Sequence, residues 1–383
     1  MEKPGTVADD RKTSSARRAC LLIFLVCGIG LSSWAPMVPV AKIKLGLDDA
    51  TLGFVLLSLG AGAILMMPFS GMFINKYGSR KVMLVAATII SIMLPLLLLA
   101  DSAILLAAAL FVFGAAIGSI DVSMNAHAVL VQERYGRHIM SSFHGMFSVG
   151  GLLGSIGLGF LMQLGLSPTV AAVSISALLF LIAASQYKNL FPHSEEDSVE
   201  SFSFALPRGP VLILGLMCFT FFMAEGALLD WSAVFLQFNR NFEPSMAGLG
   251  FASFSVAMAV MRLTGDKIIH KIGASKVVLY GGLLASAGFL VAVLITWPGA
   301  ALIGFVLVGL GAANVVPIFF TAAGNVPNVP TSVSLAAVTT LGYAGQLAGP
   351  ALIGFIAETT SLPVGLGFVG VLLLIVAVTY KSE

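Results

Sequence analysis

The residues able to do chemistry in this chain are few, and they lie inside apolar runs. Asp121, His144, Glu225 and Asp230 are ionisable groups flanked on both sides by hydrophobic sequence. A charge in hydrocarbon costs about 2.5–3.5 kcal/mol on insertion scales, so such groups are functional candidates by default. Asn125 lies one helical turn after Asp121, and Gln132 returns to the same face, a polar stripe suited to an aqueous cavity. A structural pairing of Asp121 with Arg134, Arg137 or a helix end is the competing reading. His127 is roughly 240° around the helix from Asp121 and is expected to face elsewhere. His144 shares a face with Ser141, Ser148 and Gly151. A histidine titrates near physiological pH, so Asp121 and His144 on adjoining helices would make a proton relay, against a satisfied core histidine as the plain alternative. Glu225 and Asp230 are five residues apart, about 140° around a regular helix. That spacing predicts that only one of them faces a central site, and Glu225 is nearer mid-membrane. Asp121, Glu225 and His144 are therefore the proton-coupling candidates.

A second group is polar or aromatic. Trp34, with Pro36 and Pro39, sits in the outer half of the first apolar run, where it would either stack on a sugar-like ring or join an interfacial aromatic belt. Asp230 and Trp231 lie toward an outer end, where interfacial anchoring competes with a cavity role. Asn314, Tyr343 and Gln346 complete the substrate-cavity candidates, with Trp34, Asn125, Asp230 and Trp231. Neutral amides and hydroxyls suit a polar uncharged solute. Arg262 and Lys267 are expected near the cytoplasmic end of their span, which argues against an anionic substrate.

Several chemistries are excluded. The five histidines are scattered and form no HExxH-like pair, so neither a metal site nor a hydrolytic centre is expected. Cys20, Cys27 and Cys218 all lie in apolar runs and suit neither a disulfide framework nor zinc. Gly309-Leu310-Gly311 opens like a dinucleotide fingerprint, but Asn314 stands at the third glycine position, and no Walker-type loop exists. The chain is expected to be no enzyme and to need no cofactor. A sensor or partner protein that moves nothing is a further alternative, but the polar stretches are too short for the soluble domain it would normally carry.

The elements that must position these residues are legible from composition. Of 383 residues, 58% are hydrophobic and 10% charged, with mean hydropathy +1.00. Soluble proteins carry about 25% charged residues, so a soluble fold is excluded, and no basic patch offers a nucleic-acid surface. Runs of the roughly 20 apolar residues that cross ~30 Å of hydrocarbon fall at 17–41, 49–75, 81–100, 103–132, 139–163, 167–187, 210–237, 245–271, 276–296, 299–322, 332–357 and 363–380. The reading is an all-α membrane protein with twelve transmembrane helices. With the amino terminus inside, all 20 Lys and Arg residues except Lys42, Lys44 and Arg240 fall on the inner side. Positive charge favours the cytoplasm, so both termini are expected to be cytoplasmic. The expected division is a cytoplasmic tail (1–16), a first six-helix bundle (17–188), a solvated cytoplasmic linker (189–208) and a second bundle with a short cytoplasmic tail (209–383).

The halves resemble each other. GMFINKYGSRKVM (Gly71 to Met83) follows the second span and GDKIIHKIGASKVVL (Gly265 to Leu279) follows the eighth, each with a basic residue two before a glycine. Six-plus-six organisation is the signature of a transporter that rocks two bundles about a central site. The first stretch resembles the cytoplasmic signature of the major facilitator superfamily, G-x-x-x-D-[RK]-x-G-R-[RK]-x-x-L. Gly71, Lys76, Gly78 and Arg80 match, whereas Asn75 stands at the usual Asp and Ser79 and Met83 also depart. The blocks DVSMNAHAVLVQERYGR and AEGALLDWSAVFL are similar to the rhizopine-associated, MosC-like branch, a bacterial inner-membrane group.

The resemblance implies the major facilitator fold and secondary transport of a small polar molecule by alternating access across the bacterial inner membrane, by a monomer. Asp121, Glu225 and His144 motivate proton coupling, glycines without proline in the fifth span favour uptake over drug or organic-compound efflux, and the resemblance points to a sugar-, polyol- or inositol-like compound. It also implies that Gly71, Asn75, Lys76, Gly78, Arg80 and Lys81, echoed by Lys271 and Gly273, form a cytoplasmic gate motif. Ordinary positive-inside anchoring is the competing role for its cations.

Overall fold

The computed structural model describes residues 7–136, 139–195, 208–329 and 331–380. Lys3, Arg137, His138, Lys381 and the middle of the linker (196–207) lie outside the described residues. Among the described residues, twelve helical spans of 18 to 35 residues are long and apolar enough to cross a membrane.

Two expected spans are broken. The first is α1 (Val7–Ser32), a 3-10 turn at Ala35–Met37 and α2 (Val38–Leu45). Pro36 and Pro39 lack the amide hydrogen that a continuing helix needs, and the Ser33 hydroxyl donates back to the Ile29 carbonyl at 2.7 Å. Then come α3 (Asp49–Tyr77), α4 (Ser79–Leu99), α5 (Ala103–Tyr135), α6 (Met140–Gln163) and α7 (Pro168–Gln186). The second half has α8 (Pro210–Asn239), α9 (Leu249–Ile272) and α10 (Ala274–Leu294). Its tenth span divides into α11 (Pro298–Ala312) and α12 (Val315–Gly324), with Asn314 at the joint. The last two are α13 (Thr331–Thr359) and α14 (Leu362–Thr379).

The connections are short because the caps are local. Asp48 accepts the Thr51 amide at 2.6 Å to start α3, and that bond holds its carboxyl below the usual range. Ser102 accepts from the Leu105 amide to start α5 after only Ala100 and Asp101. The repeat suspected in the sequence appears in the backbone. Gly78, between α3 and α4, has φ 84° and ψ 149°, and Gly273, between α9 and α10, has φ 85° and ψ 154°. A side chain would strain both turns.

Within the halves, α3 packs on α5, α1 on α6 and α8 on α13. Between them, α3 lies along α13 and α6 along α9. The close crossings are on the side away from the termini, where α3 begins and α13 ends. A Cβ on Gly159 would fall 1.9 Å from the Ser245 carbonyl oxygen, and one on Gly248 would fall 1.7 Å from that of Ser155. Only glycine lets the two backbones approach this closely. The Asp49 amide donates to Glu358 at 3.0 Å across the same seam, while Lys42 binds the Asp49 carboxylate at 2.6 Å.

The expectation of a solvated linker from residue 189 needs correction for its first part. Leu190 and Phe191 are 3% and 1% exposed. The Phe191 amide donates to His127 Nε2 at 3.3 Å, His127 Nδ1 lies 2.7 Å from the Ser79 hydroxyl, and the Arg134 guanidinium stacks 4.3 Å over the Phe191 ring. Glu195 receives ion pairs from both Lys12 and Arg134. Apolar Leu190 and Phe191, flanked by countercharge, explain why this strap docks on the first half.

The strap carries a pH prediction. The hydrogen bond from Lys12, helped by that from Arg134, holds the Glu195 carboxyl below its usual range. A carboxylate depressed in the folded state stabilises above its unfolded value of about 4.3, and the gain is lost as pH falls through the folded value. At pH 7, Glu195→Gln is expected to speed hydrogen exchange at the Phe191 amide up to about fivefold, the worth of exposed ion pairs of about 1 kcal/mol. The difference from wild type should narrow as pH falls below about 4.3 and vanish only once pH is below the depressed folded value. Equal exchange at pH 7 would show that the apolar contacts alone hold the strap.

Candidate functional site: a charged cavity between the halves

A cavity of about 280 Å³ lies between the halves, lined on its polar side by Asp121, His144, Glu225, Asp230, Arg262, Tyr343 and Gln346. Leu56, Met67, Phe147, Phe222 and Phe251 contribute an apolar wall. Asp121 is near the middle of α5, Glu225 near the middle of α8 and Arg262 near the middle of α9. The site therefore sits at the midplane of the spans. His144, the fifth residue of α6, is exposed into the cavity on the terminus-bearing side. On the opposite side the seam holds the halves together.

Asp121 is held from both halves. Tyr343 of α13 donates its hydroxyl to Asp121 Oδ2 at 3.2 Å. From α5 itself, Asn125 donates to Asp121 Oδ1 at 3.2 Å and to its backbone carbonyl at 2.9 Å. The Tyr343 ring is fixed in turn by an edge contact with Phe222, centroids 5.5 Å apart. Arg134 binds Glu195 rather than Asp121, and Arg137 lies outside the described residues.

Arg262, expected near the inner end of its span, lies toward that end of Pro244–Gly265, yet it lines the cavity with Nη2 3.5 Å from Glu225 Oε1. Thirteen residues of α9 precede Arg262 and ten follow it, so the helix runs well past Arg262 on the side of the termini. The argument against anionic solutes loses its ground. The expectation that only one of Glu225 and Asp230 faces the site does not hold, since both line the cavity. The helix is regular there, and the cavity follows its flank toward the seam. Asp230 is 6% exposed and its Oδ1 has no hydrogen-bond partner among the described residues.

The remaining candidates separate into neighbours and outliers. His144 lines the cavity, its ring edge-on to Phe24 at 5.5 Å. Asn125 acts through Asp121 and is absent from the wall. Asn314, 7% exposed, donates to the Met261 carbonyl at 3.2 Å and ties the α11–α12 joint to α9. Trp34 and Trp231 are fully buried and neither lines the cavity, so they are neither belt anchors nor sugar platforms here. Trp231 packs in the seam, where a Cβ on Gly354 would lie 3.1 Å from its ring. Gln132 does not continue the polar stripe into the cavity; it accepts the Ile139 and Met140 amides at the start of α6. His127 faces the docked strap, as its helical angle indicated.

In the gate motif, Lys76 lies 5.1 Å over the Tyr77 ring and Arg80 4.8 Å over the Tyr187 ring. Gly78 turns the chain beneath His193, and Gly71 meets no neighbour within contact distance. Asn75 and Lys81 are exposed. In the second half, Lys271 is in the last turn of α9 and Gly273 repeats the turn of Gly78.

A midplane cavity holding ionisable groups between two six-helix halves, sealed on one side, is the architecture of a membrane transporter. The comparisons agree. The sequence matches the Major Facilitator Superfamily over residues 20–341. It is 48% identical over 361 residues to an uncharacterized MFS-type transporter of Yersinia pestis, covering 94% of each chain. It is 33% identical to the membrane protein MosC of Rhizobium meliloti, covering 90% of this chain and 84% of that one. Among solved structures, the nucleoside transporter NupG superposes with TM-score 0.72 at 16% identity, over 97% of this chain and 100% of that one. A bacterial homologue of the lysosomal transporter Spinster, in an inward-facing and occupied conformation, gives 0.71 at 18% identity over 94% of each. The chain belongs to the Major Facilitator Superfamily and is a multi-pass membrane transporter, not an enzyme.

Proposed function

We propose that the protein is a secondary active transporter that takes up a small polar solute of sugar, polyol or inositol type, coupled to protons, across the bacterial inner membrane. Its working unit is the monomer, with both termini in the cytoplasm. The observation that carries this reading is the hydrogen bond from Tyr343 of the second half to Asp121 of the first, inside the cavity. A carboxylate whose partner comes from the opposite half changes its surroundings whenever the halves rock, which is what links proton occupancy to conformation. Glu225, drawn toward Arg262, and His144 at the mouth extend the same polar wall. Gln346, Tyr343 and Asp230 offer hydroxyl-binding groups, and Arg262 widens the class to solutes bearing an acidic group. In this reading the structure is the cytoplasm-open member of the alternating pair. The apolar wall formed by Phe222 and Phe251 supports a second reading, export of an organic compound.

The test is uptake into proteoliposomes with and without an imposed proton gradient. Accumulation that needs the gradient is expected, and indifference to it would reduce the protein to a facilitator. For the gate, Lys76→Ala is expected to impair transport more than Lys188→Ala; equal effects would leave anchoring as the role of Lys76.

A further inference from the structure

A second hollow, separated from the transport cavity by α3 and α5, faces the surrounding membrane on the first half. It has a volume of about 590 Å³ and lies between α3, α4 and α5. It exists because α3 and α4 each pack closely on α5 but touch each other little, so they diverge and leave a groove over α5. Its walls are Met66 and Phe73 of α3, Val85 and Ile89 of α4, and Phe111 and Val112 of α5. Phe73, Val85, Phe111 and Val112 remain 37–59% exposed in the folded chain. At one end the apolar walls stop at Tyr77 and Lys81. Lys76 lies over the Tyr77 ring, so two cations frame that mouth.

The dimensions select the occupant. From Met66 to Tyr77 the helix rises roughly 16 Å, and from Lys81 to Ile89 roughly 12 Å, at 1.5 Å per residue. That is about half of the ~30 Å hydrocarbon thickness. The groove therefore runs through one leaflet, from its headgroup level to the midplane, with its cations at the headgroup level. A helix of another protein would cross both leaflets, and a solute from water would not meet so apolar a wall. An acyl chain carrying an anionic headgroup matches the length, the polarity and the charge at the mouth. We propose that this groove holds an acyl chain of an anionic glycerophospholipid from the leaflet on the side of the termini, with its phosphate at Lys81.

The experiment uses the full chain in nanodiscs of equal phosphatidylglycerol and phosphatidylcholine, transferred to mild detergent and read by native mass spectrometry. Phosphatidylglycerol is expected to stay bound in preference to phosphatidylcholine. Lys81→Gln, a change at an exposed position, should lower phosphatidylglycerol retention about fivefold, the worth of one lysine near an anionic surface, and leave phosphatidylcholine unaffected. Val112→Trp, which fills the groove and keeps the lysine, should reduce retention of both lipids. Phosphatidylglycerol retention unchanged by Lys81→Gln would overturn the proposal, whatever the second variant does. So would wild-type dimers that Val112→Trp converts to monomers, since the groove would then be a contact between copies of the chain.

Discussion

Asp121→Asn is expected to reduce gradient-driven accumulation roughly 10- to 100-fold while solute exchange at equal pH on both sides persists. The asparagine keeps the size of the side chain and an oxygen to accept the Tyr343 hydroxyl, now 3.2 Å from the carboxylate. What it removes is the charge and the site for a proton. A hydrogen bond to a charged group contributes about 1.5–3 kcal/mol, and each 1.4 kcal/mol is a factor of ten. Counterflow and gradient-driven uptake measured on the same proteoliposomes separate the outcomes. Loss of both would assign Asp121 to solute binding, and loss of neither would remove it from the coupling mechanism. Tyr343→Phe should reproduce part of the defect, because it withdraws the donor and leaves the carboxylate in place.

Gly159→Leu is expected to shift the conformational balance away from the observed state by roughly 10- to 100-fold and to stop turnover. Its first side-chain carbon would lie 1.9 Å from the Ser245 carbonyl oxygen, and that oxygen belongs to backbone of the other half. Overpacking costs about 1–3 kcal/mol where the surroundings cannot yield. Here the penalty falls only on the state in which the seam is closed, so it biases the equilibrium between states. The measurement is maleimide labelling of Met67→Cys, a cavity-wall position, with the native cysteines replaced. The variant should label from the face opposite the termini, and the parent from the terminus-bearing face. Labelling from the same face in both would mean that the seam absorbs the leucine without parting.

Much of the fold was legible because lipid imposes a simple rule: each span needs a long apolar run, and the runs count themselves. The breaks were less legible. Trp34 to Pro39 and Asn314 to Pro317 lie in continuous apolar sequence, so hydropathy passes straight through them, although the prolines mark them. Asp121, Glu225 and His144 were found because ionisable groups in apolar runs stand out, and all three reach the cavity. Arg262 was not legible as a cavity residue because its place toward one end of the span does not show that its side chain reaches Glu225. Trp34 and Trp231 misled because an aromatic residue near a span end reads as an interface anchor. Here those ends are packed against other helices, where burial is decided by neighbours that no local pattern reveals. Phe191 and Glu195 show the same limit: their partners Lys12, His127 and Arg134 are 61 to 183 residues distant.

The pairing of Gly159 with Ser245 and of Gly248 with Ser155 has a consequence for leakage. Main chain rests on main chain there, and no rotamer change can create a small hole between them. At these two crossings water and ions find no partly ajar route of the kind that a swinging phenylalanine allows. On the proposed alternating-access reading, the halves at these two crossings part together or stay tight, which keeps the membrane potential from draining between cycles.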